Sequence, residues 1–306
     1  MILCCGEALI DMLPRTLSDG EQVFLPVAGG AVFNTAIAIG RLGAPVGLFA
    51  GLSSDFLGDV LRRTLAASHV DIGYAVTADR PTTLAFIRLA NGQASYDFYD
   101  ENTAGRMLGA DDLPSLPKAV EALFFGGISL IAEPCGSTYE ILMRNYARDR
   151  VTMIDPNIRS GFIVDAESYR ARIDRMIGLA DIVKVSDEDL SWLLGEGDVD
   201  QQAPSLLARG PSLVILTRGA AGASGFTDTC RVDVRSTPIP VADTVGAGDT
   251  FNAGVLTLLH ERGKLSKPAI AGLDEADLRA ALELGTAAAA VTVSRAGSDP
   301  PWRKDV

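Results

Sequence analysis

The chain has 306 residues, 47% of them hydrophobic, and a formal charge of −12 from 27 Lys and Arg against 39 Asp and Glu. That length and apolar content suffice for one α/β domain with a sizeable core and exclude a disordered chain. The acidic balance repels phosphate backbones, so nucleic acid is not expected as a partner.

Residues 2–5, Ile-Leu-Cys-Cys, are expected to form a buried strand. No basic segment precedes them, and Glu7 and Asp11 break the apolar run, so no signal peptide is expected. No stretch approaches the roughly 20 apolar residues of a membrane span, which predicts a soluble, cytoplasmic protein with no membrane partner. Gly29-Gly30 leads into a predicted helix over 34–42, followed by a strand at 46–49 and a helix at 56–67. The β-rich runs 82–90 and 93–99 are joined by Asn91-Gly92. This dipeptide suits a type I′ turn, which needs positive φ at both central positions, so a hairpin is expected. Residues 8–12 and 21–27 are candidates to pair with it. These pieces predict a small β-sheet lid, contributed by about 12–27 and 73–103, within a single domain over 1–306. Further strands are expected at 122–125, 151–154, 182–185 and 213–216, alternating with helices at 137–148, 168–179 and 188–194. Residues 204–209 and 262–275 read as surface segments. The alternation predicts a doubly wound, mostly parallel sheet flanked by helices, with ligands beyond the carboxyl ends of its strands.

Several chemistries are disfavoured at once. Cys4, Cys5, Cys135 and Cys230 form no C-x-x-C pair, so neither a disulfide framework nor a zinc site is indicated. His69 and His260 are the only histidines, and neither lies in a nucleophile-elbow or H-E-x-x-H pattern. Carboxylates or backbone amides must then carry any catalysis. No G-x-x-x-x-G-K-[ST] occurs, and no third glycine completes a Rossmann fingerprint.

The segment Asp243-Thr244-Val245-Gly246-Ala247-Gly248-Asp249-Thr250-Phe251 opens an apolar helix running to His260. Small residues at 246–248 let successive N–H groups face one point at a helix N-terminus, where the macrodipole favours an anion. A carboxylate beside that anion is costly unless it has work to do, such as taking the proton of a hydroxyl that attacks a phosphoryl group. Read alone, the segment equally suits a helix cap after a Gly turn. Gly29, Gly30 and Asn34 permit close backbone approach to a polar ligand and a hydrogen bond from an amide, or equally a Gly turn with an Asn cap.

The 243–251 segment closely resembles the second signature of the ribokinase-like (PfkB-type) sugar kinase family, D-T-x-G-A-G-D-x-F. Gly29-Gly30-Ala31-Val32-Phe33-Asn34-Thr35-Ala36, running on to Gly40-Arg41-Leu42-Gly43, resembles the first. The resemblance spans the chain from Gly6-Glu7 to the Ala-rich stretch 286–293. It is greatest to the fructokinase branch, through Gly6-Glu7-Ala8-Leu9-Ile10-Asp11, Asp155-Pro156-Asn157-Ile158-Arg159 and Lys184-Val185-Ser186-Asp187-Glu188-Asp189-Leu190.

The resemblance implies an ATP-dependent sugar kinase. Asp249 would be the base, with Gly246, Ala247, Gly248 and Arg159 around the transferred phosphoryl group. Asp11, Gly29, Gly30, Asn34 and Phe98 would hold the sugar. Lys184, Ser186, Asp189, Thr217, Gly219, Gly222, Gly246, Gly248 and Thr286 would lie along the nucleotide. The family pattern N-x-x-E stands here as Ser186-Asp187-Glu188-Asp189, so magnesium water falls to Asp189 or Glu188. Mg2+ would be held mainly by ATP phosphates and water. A K+ ion is implied beside Asp243, Val245, Thr292, Arg295 and Gly297. D-fructose is the expected substrate. The alternatives are 2-keto-3-deoxygluconate, for which Arg88 or Arg106 would supply a cation, ribose or a nucleoside, and a non-catalytic sugar-binding regulator. Arg88, Tyr96, Phe98 and Tyr99 fall on the hairpin, and the lid strands suggest a homodimer.

Overall fold

The computed structural model describes the backbone of residues 1–90 and 93–306, and their side chains except those of 88–96. The expected turn at Asn91-Gly92 and the side chains of Arg88 and Tyr96 lie outside the described residues. In chain order the elements begin with β1 (Ile2–Cys5), β2 (Leu9–Thr16), β3 (Gln22–Gly29), α1 (Ala31–Leu42), β4 (Val46–Phe49), β5 (Gly51–Ser53), α2 (Phe56–Ala67), β6 (Val70–Asp71), β7 (Val76–Ala78), β8 (Leu84–Ala90) and β9 (Gln93–Tyr99). The middle of the chain gives β10 (Ala122–Gly126), α3 (Cys135–Tyr146), β11 (Val151–Asp155), α4 (Ala166–Leu179), β12 (Ile182–Ser186), α5 (Asp187–Leu194) and α6 (Val199–Ser205). It closes with β13 (Leu213–Thr217), β14 (Ala223–Phe226), β15 (Arg231–Val234), α7 (Ala247–Glu261), α8 (Lys267–Ala271) and α9 (Glu275–Val293).

Among the described residues nine strands form the main sheet, in the order β15-β14-β13-β12-β11-β10-β1-β4-β6. All its pairings from β6 to β13 are parallel; β14 and β15 add an antiparallel edge. Parallel strands covered on both faces need apolar side chains on both, and Ile2, Leu3, Cys4 and Cys5 are all fully buried. Their alternation sorts them between two cores. Ile2 and Cys4 face the core that includes side chains of α1, α2, α7 and α9. Leu3 and Cys5 face the one that includes side chains of α3 to α6. The doubly wound sheet expected from the sequence is therefore present. Strand order reverses at β1, which lies between β4 and β10, and a crevice opens beyond its carboxyl end.

Beside this sheet stands a small one in the order β3-β2-β8-β9. Only its β2–β8 pair is parallel. β7 pairs with β5 outside it, so the segment starting near residue 73 joins the small sheet only from Leu84. Two segments expected at the surface, 204–209 and 262–275, lie mostly there, each anchored by a few buried apolar side chains. Ala203 and Leu206 are fully buried at the end of α6, and Ile270 and Leu273 anchor α8 to the core. Among the described residues no helix is long and apolar enough to cross a membrane.

α7 lies between α1 and α9. Gly254 meets the backbone of Gly285 so closely that a Cβ there would come within 2.6 Å of it. The Thr292 hydroxyl donates to Thr250 Oγ1 at 2.9 Å, and Thr35 Oγ1 donates to the Asp249 carbonyl at 3.3 Å. This packing fixes the N-terminus of α7 against that of α1.

Candidate active site

Both helices start without a side-chain cap of their own. Gly30, at φ 108°, precedes α1, and Gly246, at φ 78°, precedes α7. Positive φ is available to glycine at little cost, and at Gly246 a side chain would also collide with Ser298 Oγ. A distant residue caps α1. Glu7, two residues beyond β1, accepts from Ala31 N at 2.9 Å through Oε1 and from Ser129 N at 3.2 Å through Oε2. It thereby ties together the ends of β1 and β10 and the start of α1. Burial pushes the Glu7 carboxyl above the usual range, and these amide bonds oppose the rise. At α7, among the described residues, no acceptor faces the amides of Gly248 and Asp249.

Asp249 is 6% exposed, and its Oδ2 accepts from Asn34 Nδ2 at 2.9 Å. Burial raises its pKa to about 7, against the lowering effect of the Asn34 bond and of the nearby Arg159 and Lys184 charges. Asp11 stands on β2 instead of following β1, and faces the same space. Burial, then the neighbouring Glu7, lifts Asp11 to about 6. Both carboxylates thus sit where protonation changes near neutral pH. They line a cavity of about 260 Å³ with Gly30, Asn34, Phe98, Arg159, Gly246 and Gly248. Gly29 lies just behind, where a side chain would strike Asp11 Oδ2.

Beneath the start of α7, Lys184 Nζ donates to Asp155 Oδ2 at 3.0 Å, and Asn252 Nδ2 donates to the same oxygen at 2.7 Å. Burial opposes the Lys184 charge, but Asp155 and Asp189 outweigh it and hold its pKa above the usual value. Its ammonium lies 3.5 Å from where a Gly248 side chain would project. A fixed positive charge therefore sits under the open amides of α7.

A second cavity, about 590 Å³, lies on the other side of the same loop. Thr217, Gly219, Gly222, Gly248 and Thr286 line it, with Ala247 and Phe251. Thr244 and Gly248 line both cavities. The Thr286 hydroxyl is buried there without a partner among the described residues, which suits a ligand that supplies one. Lys184, Ser186 and Asp189 do not line this cavity. Asp189 accepts from Ser186 N and Ser186 Oγ, and from Ile158 N at 2.8 Å, so its carboxylate caps α5 and holds the loop that carries Arg159.

Among the described residues no group of three or more His, Cys, Asp or Glu gathers as a metal cluster. Asp243 instead accepts from Val245 N and Gly297 N, at 3.1 and 3.0 Å, and so joins two loops. Arg295 is occupied by Asp299 and Asp305, and the Thr292 hydroxyl by Thr250. Between these loops the Ser298 hydroxyl is buried without a partner among the described residues. Neutral oxygens of this kind suit a hard, weakly held cation.

Glu7, Asp155, Asn252 and Phe162 were not singled out as site residues from the sequence. Glu7 and Asp155 had a usable signal, since both stand at or just past the carboxyl end of a parallel strand.

The profile of the pfkB family carbohydrate kinases matches residues 1–305. A curated fructokinase of Rhizobium leguminosarum bv. trifolii is 55% identical over 279 residues, 91% of this chain and 86% of that protein. A fructokinase from Xylella fastidiosa, solved with bound ATP, superposes with a TM-score of 0.88 at 28% identity, covering 100% of this chain and 94% of that one. A double-mutant fructokinase from Vibrio cholerae O395, solved with fructose, ADP and a potassium ion, gives 0.86 at 25% identity over 97% and 93%.

Proposed function

The chain belongs to the pfkB family of carbohydrate kinases, and we propose that it transfers the γ-phosphoryl group of ATP to D-fructose. The observation that carries this reading is Asp249. A buried carboxylate with a pKa near 7 stands at an uncapped helix start between a small polar cavity and a large, more apolar one. Such a group is poised to take a proton at neutral pH.

In the proposed reaction Asp11, Gly30 and Asn34 orient the sugar in the smaller cavity, with Phe98 at its far wall. Asp249 removes the proton from a hydroxyl placed against its free Oδ1. The oxygen bonds to phosphorus as the bond to ADP breaks. The amides of Gly248 and Asp249 face the developing charge, with Lys184 beneath them and Arg159 across from them; that of Ala247, expected to join them, instead donates to the Thr244 carbonyl at 3.4 Å. The nucleotide would occupy the larger cavity along Thr217, Gly219, Gly222 and Thr286. Magnesium would neutralise the ATP phosphates when bound. Asp189 has its oxygens committed, which leaves Glu188 as the carboxylate free to order metal-bound water. A potassium ion would be held by oxygens of Asp243, Val245, Thr292, Arg295 and Gly297 and would add positive charge behind the amides. An enzyme drawing on ATP is placed in the cytoplasm by this reading, and its small sheet is proposed as a lid and a homodimer contact.

Fructose is favoured over an acidic sugar because Arg106 is already paired with Asp100 at 2.9 Å. The test is ADP release from MgATP with fructose, 2-keto-3-deoxygluconate, ribose, glucose and adenosine. Turnover with fructose is expected; turnover with another member alone would move the substrate and keep the mechanism.

A further inference from the structure

Next to the acceptor cavity lies another, of about 490 Å³. Phe98, Ile128 and Phe162 line both, so the two adjoin across a narrow apolar boundary, the neck of the extended site proposed below. The two phenyl rings there touch edge to face, with centroids 4.4 Å apart. The Asp249 end of the acceptor cavity is formed by other residues, those around Gly246 and Gly248. A sugar that presents a hydroxyl to Asp249 would therefore turn its far end towards the neck.

We propose that this second cavity is an extension of the acceptor site, so that the enzyme also phosphorylates fructose carrying a further neutral sugar ring. The inference rests on the fructose reading given above and extends it. Three observations lead to it. The first is space: the second cavity is larger than the one assigned to a single sugar. The second is an unsatisfied group. Tyr169 lines the cavity and is 2% exposed, yet its hydroxyl has no partner among the described residues. A buried hydroxyl left unpaired is costly, and a ligand hydroxyl reaching it would relieve that cost. Burial also holds the phenol above its usual pKa, so it remains a neutral donor. The third is charge. Both guanidiniums on the wall already have carboxylate partners: Arg106 with Asp100, and Arg172 with Glu133. Among the described residues of its wall no cation is spare for an acidic or phosphorylated group. Aromatic walls with neutral hydroxyl partners suit the alternating C–H faces and hydroxyls of a sugar ring.

The reaction itself is unchanged. The fructosyl hydroxyl gives its proton to Asp249, its oxygen bonds to the γ-phosphorus, and the phosphorus–oxygen bond to ADP breaks.

The test uses the full chain and three neutral fructose disaccharides, sucrose, turanose and lactulose, beside free fructose. ADP release and product mass are read for each. We expect at least one disaccharide to give a phosphorylated product. Tyr169→Phe, which removes no hydrogen bond seen within the protein, should lower kcat/KM for that disaccharide by about fivefold, as loss of one neutral hydrogen bond implies, while fructose turnover is unchanged. The proposal is overturned if fructose is turned over but no disaccharide is phosphorylated. It is equally overturned if Tyr169→Phe lowers turnover of fructose and disaccharide alike. Failure of fructose itself would overturn the underlying substrate reading instead, and this extension with it.

Discussion

Asp249 sets function against stability. Its ordinary pKa is 3.8 and its folded value is about 7. Across that window the folded protein binds a proton that the unfolded chain releases, so stability falls as pH rises and the full penalty is present above pH 7. Asp249→Asn removes the penalty and the proposed base together. We expect kcat to fall by about a hundredfold or more with sugar binding retained, and Tm at pH 8 to rise by about 2 °C or more. Stopped activity with an unchanged or lowered Tm would mean that Asp249 is not held ionised by the fold against its burial. The same group predicts a pH profile in which kcat rises through about pH 7. Because the Asn34 bond favours the ionised form, Asn34→Ala should move that rise to higher pH as well as weaken sugar binding. A limb that stays in place would detach Asn34 from the base. That Asp249 and Asn34 would meet was legible only from the two signatures together, because each run read alone suits a Gly turn and a helix cap equally well. For Glu7 the sequence signalled a place just past a parallel strand, but not its capping of α1, which requires residues 7 and 31 to meet.

The starts of α1 and α7 do the positioning, and they do it by lacking local caps. α2, α4, α5 and α9 begin with Asp55, Asp165, Ser186 and Asp274, whose side chains accept from the first turn. α7 begins instead with Gly246, at a φ of 78°, and the amides of Gly248 and Asp249 that follow have no acceptor among the described residues. Gly246→Ala would place a β-carbon 2.2 Å from Ser298 Oγ and force a left-handed conformation that costs about 1–2 kcal/mol for an L residue. We expect a folded protein with lowered Tm and a loss of kcat larger than any change in KM for sugar, measured by steady-state kinetics beside thermal unfolding. Wild-type kcat in this variant would show that the turn does not aim the amides. At this scale the sequence predicted parallel strands and their helices to within a few residues, because continuous apolar runs and helical spacing are local signals. β14 and β15 were missed: Ala223-Ser-Gly-Phe is short and small, and it becomes a strand by pairing with β13. The segments at 204–209 and 262–275 do lie mostly at the surface; what the sequence did not give was which of their apolar side chains, Leu206, Leu265, Ile270 and Leu273, would anchor them.

The whole molecule places the candidate site at the one crevice where strand order reverses, with the small sheet standing beside it. The doubly wound class was readable from the βα alternation alone; which strands flank β1 was not, because neighbour order depends on crossovers that leave no trace in local pattern. The small sheet has a feature that the main sheet lacks. Phe24 and Tyr99 pack edge to face on either side of Phe86, yet remain 46% and 61% exposed. β3 also ends that sheet with an unpaired edge. An apolar aromatic surface beside an open edge invites a partner, and a second copy of the same sheet offers the same chemistry by two-fold symmetry. We therefore expect the protein to be a dimer by light scattering, and Phe24→Asp to make it a monomer. Because the small sheet also carries Asp11 and Phe98, the monomer should show a raised KM for sugar while KM for ATP stays near its original value. A wild-type monomer, or a monomeric variant with unchanged sugar KM, would separate the exposed aromatic face from the sugar-binding role of the sheet.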